Sequence, residues 1–183
     1  MSVPQVRISD VALDSVFDTF SNVETGLNPL WFQQAPLYGI SPTWAQFDFT
    51  DDSDNFIRGQ VDADQYETSG EINYPFACLY VLESANTNNI KFATFSGMVR
   101  VVLDVYLSWG PIRGIPNFEK YCNCMESTVV SAINTWTNQA SFTRPLAYNG
   151  QVQCRRGPAI FAGENWRQKI GFSFLFEVDT FES

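Results

Sequence analysis

Apolar and polar positions alternate through one long stretch in the middle of the chain, Phe95 to Trp109, which reads FSGMVRVVLDVYLSW. Every second residue, counted from Phe95, is apolar or glycine, whereas the positions between them are mixed and mostly polar. Because successive side chains of a strand point to opposite faces, the pattern predicts a strand with one buried and one wetter face. At about 3.3 Å per residue it would span roughly 50 Å, so it either bends or runs past its own core.

The two ends of this strand are expected to differ in burial. Residues 101–109 should stay buried beneath a helix that carries Tyr121 and Met125. The end nearer the preceding turn should leave the core and contact a neighbouring subunit, which makes four residues candidates for that interface: Phe95, Met98, Val99 and Arg100.

Two segments have the apolar spacing of amphipathic helices. From Ser9 to Val23, apolar residues recur at intervals of three and four, and Ser9 is a good N-cap residue. Gly26 and Pro29 are expected to end this helix. A second helix is predicted from Asn117 to Thr137, after a break at the sequence GIP. Each helix has one apolar face, so both should lie on a sheet.

The long strand is predicted to pair with the strand before it. Ile72 to Glu83 forms that strand, beginning near Pro75, and Ser84 to Asn89 forms the turn of the hairpin. The continuous apolar run from Phe76 to Leu82 is typical of a strand buried on both faces.

A second hairpin is predicted near the end of the chain. Gly150 to Phe161, with a kink at Gly157-Pro158, should pair with Trp166 to Phe181. The sequence therefore predicts an α+β fold, with an antiparallel sheet of two hairpins and two amphipathic helices packed on one face.

The segment from Leu27 to Gly70 has weak periodicity and is predicted to be an extended loop within a single domain of residues 1–183. Short strands are expected at Trp44 to Phe49 and at Asn55 to Val61. An acidic run in this loop lacks the glycine and the glutamate of a calcium-binding loop, so we interpret it as a solvated tip able to contact a neighbouring subunit. The residues concerned are Asp51, Asp52 and Asp54.

The chain of 183 residues has a net charge of −9 and a pI near 4.3. An acidic surface argues against a direct grip on nucleic acid, because phosphate neutralisation requires clustered Lys and Arg. Basic residues concentrate only at Arg155-Arg156 and at Arg167 and Lys169. We interpret these pairs as solvated strand faces or as contacts to an acidic neighbouring subunit.

Histidine is absent, which removes the commonest general base and the commonest metal ligand. Cys122 and Cys124 form a C-x-C rather than the pair of a zinc site. We therefore expect no enzyme activity, no metal and no cofactor, with the thiols reduced in the cytosol. No run approaches the roughly 18 apolar residues of a membrane span, and no signal pattern opens the chain, so no membrane association is expected.

Five stretches, taken in order, give an N-terminal helix, a hairpin with one long strand, a second helix and a closing hairpin: ALDSVFDTF, NYPFACLYVLE, FSGMVRVVLDVYLSW, FEKYCNCMESTVVSAI and KIGFSFLFEVDTF. This order of elements, and the apolar and polar pattern of the strands, resemble those of the tail terminator (tail-completion) proteins of long-tailed bacteriophages. The resemblance covers about Ser9 to Glu182.

The resemblance implies a structural virion protein. Its subunits would form a ring, of six in the family, that caps the tail tube, stops its polymerisation and joins it to the head connector. The partners implied are further copies of the chain, the tail tube protein and a head-completion or connector protein. DNA would pass without specific binding, which an acidic conduit favours. Such a protein assembles in the host cytoplasm and ends in the tail or neck of the virion.

Other functions stay open on the residues alone. Within the same class, the chain could be another neck, connector or tail tube component. A binding module would use the aromatic rings between Trp31 and Phe49 as an exposed ligand surface. An enzyme would need paired carboxylates, such as Asp62 and Asp64, and no spacing marks such pairs as catalytic.

Overall fold

The computed structural model describes residues 8–41, 48–50, 55–61, 74–86, 96–109, 114–139, 146–162 and 165–179. These residues form, in order, α1 (Ile8–Phe20), α2 (Leu27–Gln34), β1 (Phe56–Arg58), β2 (Phe76–Asn86), β3 (Ser96–Trp109), α3 (Gly114–Gln139), β4 (Leu146–Arg156), β5 (Ile160–Ala162) and β6 (Asn165–Asp179). A short 3₁₀ helix, Ala35–Tyr38, follows α2 directly.

The strands form one sheet in the order β1-β2-β3-β6-β4, and β5 pairs with β6 beside β4. The pairs β2–β3, β3–β6 and β6–β4 are antiparallel, so both predicted hairpins are confirmed. β1, which confirms the short strand expected between Asn55 and Val61, runs parallel to β2. The sheet is therefore mixed rather than purely antiparallel, because its edge strand β1 runs in the same direction as β2.

The helices pack on one face of the sheet. The core combines one alternating set of β3 side chains, Val99 to Leu107, with the facing set of β6, Ile170 to Phe176. Phe20 of α1 meets Phe174 edge-on, with ring centroids 5.6 Å apart, and Met125 of α3 is fully buried in the same core. The predicted α+β fold with helices on one face is confirmed, and α2 adds a third helix.

The first part of the predicted loop is helical. α1 ends at Phe20, and α2 begins directly after Gly26, with Pro29 in its first turn. Proline is tolerated there because the N–H that it lacks would have no partner within the helix. The interpretation of Gly26 and Pro29 as a stop signal was therefore wrong, since the two residues open α2. The strand expected at Trp44 to Phe49 lies mostly outside the described residues.

Two other element boundaries differ from the predictions. α3 begins at Gly114 rather than Asn117, because Pro116 again lies in a first turn. β2 continues into the predicted turn and ends at Asn86, after a bulge between Val81 and Glu83. The extension depends on Gly97 of β3, since a Cβ there would overlap the carbonyl oxygen of Ala85. The bulge and the glycine accompany pairing that continues into the segment expected to be the turn.

The closing hairpin contains the predicted break. β4 begins at Leu146, four residues before the predicted start at Gly150, and ends at Arg156. Gly157 and Pro158 then separate β4 from β5, and the N–H of Gly157 donates to the carbonyl oxygen of Lys169 at 2.8 Å. β4 and β5 therefore share β6 as their common partner.

Candidate functional site

The face of the sheet turned away from the helices carries a groove of about 680 Å³. Its side chains come from the positions that alternate with the core positions on β2, β3, β6 and β4. The strand register aligns the side chains of this face in rows. The row through Asp104 is Cys78, Asp104, Gly171 and Arg155, of which Cys78 is buried and does not line the groove. The groove is thus a direct product of strand pairing, and no helix among the described residues contributes to its lining.

Asp104 lies at the centre of the groove and is only 3% exposed. Its Oδ2 atom accepts a hydrogen bond from the Tyr80 hydroxyl at 2.9 Å and lies 2.6 Å from Lys169 Nζ. Gly171, the register partner of Asp104 on β6, leaves room for the carboxylate because it has no side chain. The buried charge is compensated by a cation and a hydroxyl, as burial of a carboxylate requires.

Two arginines lie at opposite ends of the groove. Arg100 donates through Nε to Glu83 Oε1 at 2.6 Å and through Nη1 to Ser173 Oγ at 3.4 Å. Arg155 is exposed, and no carboxylate of the described residues lies within ion-pair distance of it. The groove therefore has three cations facing it and two carboxylates: Arg100, Arg155 and Lys169, and Glu83 and Asp104. It is a locally positive surface on a strongly acidic chain.

The pKa values of the two titratable groups beside Asp104, Tyr80 and Cys78, are raised further above neutral pH. Burial, reinforced by the Asp104 carboxylate, raises the pKa of Tyr80 to about 12. Burial also raises the pKa of Cys78 to about 11. Both groups hold their protons at neutral pH, which disfavours nucleophilic or general-base chemistry there. The part of the chain that the structure describes also contains no group of three or more His, Cys, Asp or Glu residues able to hold a metal ion.

The predicted division of β3 is wrong at Val99. This side chain is fully buried in the core, where its register partners are Ser84 and Phe176, so it cannot contact another subunit. The reason is that β2 and β6 both pair with β3 up to its first residues, which continues the core to that end. Met98 and Arg100 face the opposite side and are partly exposed. The expected burial in one core with Met125 is confirmed for Val101, Leu103, Val105 and Leu107, whereas Val102 and Asp104 line the groove on the other face.

Arg155 and Arg156, both predicted at a subunit interface, face opposite sides of β4. Arg155 lines the groove, whereas the Arg156 guanidinium turns to α3. Its Nη1 atom lies 2.5 Å from Glu119 Oε1, and its Nη2 atom lies 2.6 Å from Asn123 Oδ1 and 2.7 Å from Glu126 Oε2. Arg156 therefore joins β4 to α3 within one subunit. The other predicted interface residues, Phe95, Asp51, Asp52 and Asp54, lie outside the described residues.

Sequence reasoning did not select Tyr80 or Asp104 as site residues, and it considered Lys169 only as one member of a basic pair. The signal available was a single acidic residue within the apolar run VVLDVYL. An acidic side chain at such a position needs a partner, but its partners come from two other strands. The register that unites them is set by long-range pairing and is not written in any local pattern.

Two of the aromatic residues expected to form an exposed ligand surface fill the core instead, whereas Phe32 is exposed. Trp31 and Phe49 are each 1% exposed, and Trp31 stacks on Tyr121 of α3 with ring centroids 6.3 Å apart. Trp44 lies outside the described residues. At Trp31 and Phe49 the interpretation as a binding surface is therefore wrong, because burial in the core is what these rings provide.

A search against protein-family models finds no match for the chain, and a search of curated proteins finds none either. No helix within the described ranges combines the length and the apolar character needed to cross a membrane. Function is therefore inferred from the fold and from the groove.

Proposed function

We propose that the chain is a structural virion protein, the subunit of a closed homo-oligomeric ring that terminates a phage tail tube and joins it to the head connector. The observation that carries the proposal is that the helices cover only one face of the sheet. β3 and β6 pair along their whole length, from Ser96 with Asp179 to Trp109 with Trp166, and the helices pack on only one of their two faces. On the other face, the described residues include exposed charged side chains of the groove, Arg155 and Lys169, which a partner can contact.

The order of elements also supports this proposal. α1, the β2–β3 hairpin, α3 and the β4–β6 hairpin follow one another in the order on which the resemblance to tail terminator proteins rests. Because fold alone does not define function, surfaces that suit assembly give further support.

A closed ring requires two different and complementary surfaces on each subunit. Exposed apolar side chains occur on several elements of the described chain. Phe32 and Leu37, on α2 and the 3₁₀ helix, are 50% and 78% exposed, and Ile160 and Phe161, on the edge strand β5, are 58% and 53% exposed. Single exposed apolar residues are common, but an adjacent pair on an edge strand is a place where another chain can add.

The charge of the chain is compatible with a DNA conduit. A net charge of −9 on each subunit would give a ring of strongly negative potential, past which DNA slides without adhering. The cations of the groove do not reverse this charge, because Arg100 and Lys169 are each paired with a carboxylate and only Arg155 has no carboxylate partner among the described residues. We therefore assign no specific DNA contact to this subunit.

Native mass spectrometry and electron microscopy of the purified full chain test the proposal. We expect closed rings, with six subunits as the family resemblance implies, either alone or after addition of tail tubes. Capping at one end of the tubes supports a terminator, whereas incorporation along their length would make the chain a tube component. A strict monomer at high concentration and in the presence of tubes would rule out the ring.

A further inference from the structure

We infer that the groove on the open face of the sheet receives the acidic side of α1 from a second copy of the chain. This inference rests on the proposed ring and names the surfaces that hold neighbouring subunits together. The acidic side consists of Asp10, Asp14 and Asp18, which recur every four residues and are all exposed.

The acidic side of α1 is arranged unfavourably within a single subunit. Residues four apart on a helix are neighbours, and like charges at that spacing destabilise the helix. Arg58 pairs with Asp14 at 2.9 Å, so this carboxylate already has a cationic partner in its own subunit. From Asp10 to Asp18 the line is about 12 Å long, at about 1.5 Å per residue. A cationic partner surface would relieve this repulsion.

The groove offers such a surface at a suitable spacing. Arg100 pairs with Leu175 and Arg155 pairs with Gly171, so the two arginines are two strands and four residues apart in the register. With about 4.8 Å between strands and about 3.3 Å per residue, their Cα atoms are about 16 Å apart. Long arginine side chains can span the difference from the 12 Å line of aspartates. Arg155 has no carboxylate partner in the described chain, so a new ion pair would stabilise it more than the other two cations.

The contact must join two copies. α1 packs on the helical face of the sheet, and the groove lies on the opposite face, so α1 cannot reach the groove of its own subunit. Each subunit would therefore give its α1 to one neighbour and its groove to another, which is the heterologous geometry that a ring requires. Leu82 on the groove wall, 60% exposed, and Val23 just beyond α1, 75% exposed, add apolar area to the two surfaces.

Charge reversal in the groove tests the inference. Arg155→Glu should weaken self-association of the full chain by about tenfold or more, measured by sedimentation equilibrium, because it places a third carboxylate opposite the aspartates. Lys120→Glu is the matched control, since it makes the same change in net charge at an exposed position of α3. Its association should equal that of the unaltered chain.

The reciprocal change on α1 gives an independent test. Asp10→Lys should also weaken association, whereas Glu24→Lys, the same charge change outside α1, should not. Combining Arg155→Glu with Asp10→Lys should restore much of the lost association, which a merely unfolded variant cannot do. Circular dichroism of each variant checks the fold.

The outcomes separate this interface from the ring itself. Rings that form equally well with and without Arg155→Glu and Asp10→Lys would overturn the interface and leave the proposed function standing. An unaltered chain that never oligomerises would overturn both. Loss of tail-tube capping with intact rings in Arg155→Glu would assign the groove to an axial partner and overturn the inference.

Discussion

Gly171 lies directly against the Asp104 carboxylate on the open face of the sheet. The two residues are register partners on β6 and β3, and a Cβ at position 171 would lie 2.9 Å from Asp104 Oδ1. Cβ atoms do not approach oxygen that closely without displacing it. The position that Asp104 needs to reach Tyr80 and Lys169 is therefore available only because residue 171 is glycine.

Replacing Gly171 by alanine should lower the free energy of unfolding by about 2 kcal/mol, because Asp104 must shift and lose part of its contact with Tyr80 and Lys169. Urea denaturation measures the change. Gly157→Ala is the control, since a Cβ there would meet its nearest atom, the Lys169 carbonyl oxygen, at 3.4 Å. Its cost should be about 0.5 kcal/mol. Equal losses in the two variants would contradict the close fit at Gly171.

Neutralising Asp104 should both destabilise the chain and change the titration of Tyr80. Asp104→Asn should cost about 1–2 kcal/mol, because Lys169 loses its carboxylate while remaining partly hydrated. The Tyr80 pKa should fall but stay above its ordinary value, since burial is the larger cause of its elevation and Asp104 the next. Ultraviolet titration of tyrosinate, with Tyr80→Phe to assign the signal, measures this shift.

A surface ion pair provides the comparison for Asp104. Glu83→Gln removes the partner of Arg100, but the Glu83 side chain is 63% exposed, so the cost should stay below about 1 kcal/mol. The same variant should leave the titration of Tyr80 unchanged. A Tyr80 pKa that responds equally to Asp104→Asn and Glu83→Gln would mean that general charge, rather than the hydrogen bond, sets it.

The parts of the fold that could be predicted are those for which one element's own pattern is sufficient. Alternation in β3 and three- and four-residue spacing in α1 each identify one buried face, and both elements were found. Pro29 and Pro116 could not be interpreted this way, because a proline that ends one helix and a proline in the first turn of another look the same locally. For Pro29, what distinguishes the two cases is the core, which buries Leu27 and Trp31 on either side of the proline and so favours a helix there.

The groove was less accessible to sequence reasoning than the fold. The alternation in β3 assigns Asp104 to its wetter face, but the length of the ladder with β6 decides which residues lie beside it. The same ladder buries Val99, whose place in an apolar alternation is compatible with either a core or an interface. Arg155 and Arg156 are adjacent in sequence, and only the pleat of β4 separates a groove residue from one that holds α3.

Alkaline pH should destabilise the folded chain. Burial raises the pKa of Cys122 to about 12 and that of Cys124 to about 11, from an ordinary value of 9.0. Between these values the folded state holds protons that the unfolded state has released, so the free energy of unfolding falls as the pH rises through this window. Below pH 9 the contribution is complete. Urea midpoints at pH 8 and pH 10.5 should therefore differ, with the lower midpoint at the higher pH.

The thiol contribution can be isolated by substitution. Cys124→Ala removes one of the buried titrating groups, so its urea midpoint should fall less between pH 8 and pH 10.5 than that of the unaltered chain. Each such group contributes up to about 1.4 kcal/mol per pH unit within its window. Identical falls in the two proteins would show that Cys124 does not stay protonated in the fold at pH 10.5. Slow reaction of the folded chain with a thiol reagent at pH 8 is expected on the same ground.

Arg155 and Arg156 should give opposite phenotypes when each is replaced by methionine. Arg156→Met should lower the free energy of unfolding by about 1–2 kcal/mol, because Glu119, Asn123 and Glu126 lose the guanidinium that ties α3 to β4. Arg155→Met should change it by less than about 0.5 kcal/mol, since Arg155 is exposed and has no described carboxylate partner. Its effect should appear in self-association instead. Urea unfolding at low protein concentration, compared with sedimentation at high concentration, separates the two quantities. A large stability loss in Arg155→Met would mean that the groove face contributes to the subunit's own fold rather than to a neighbour.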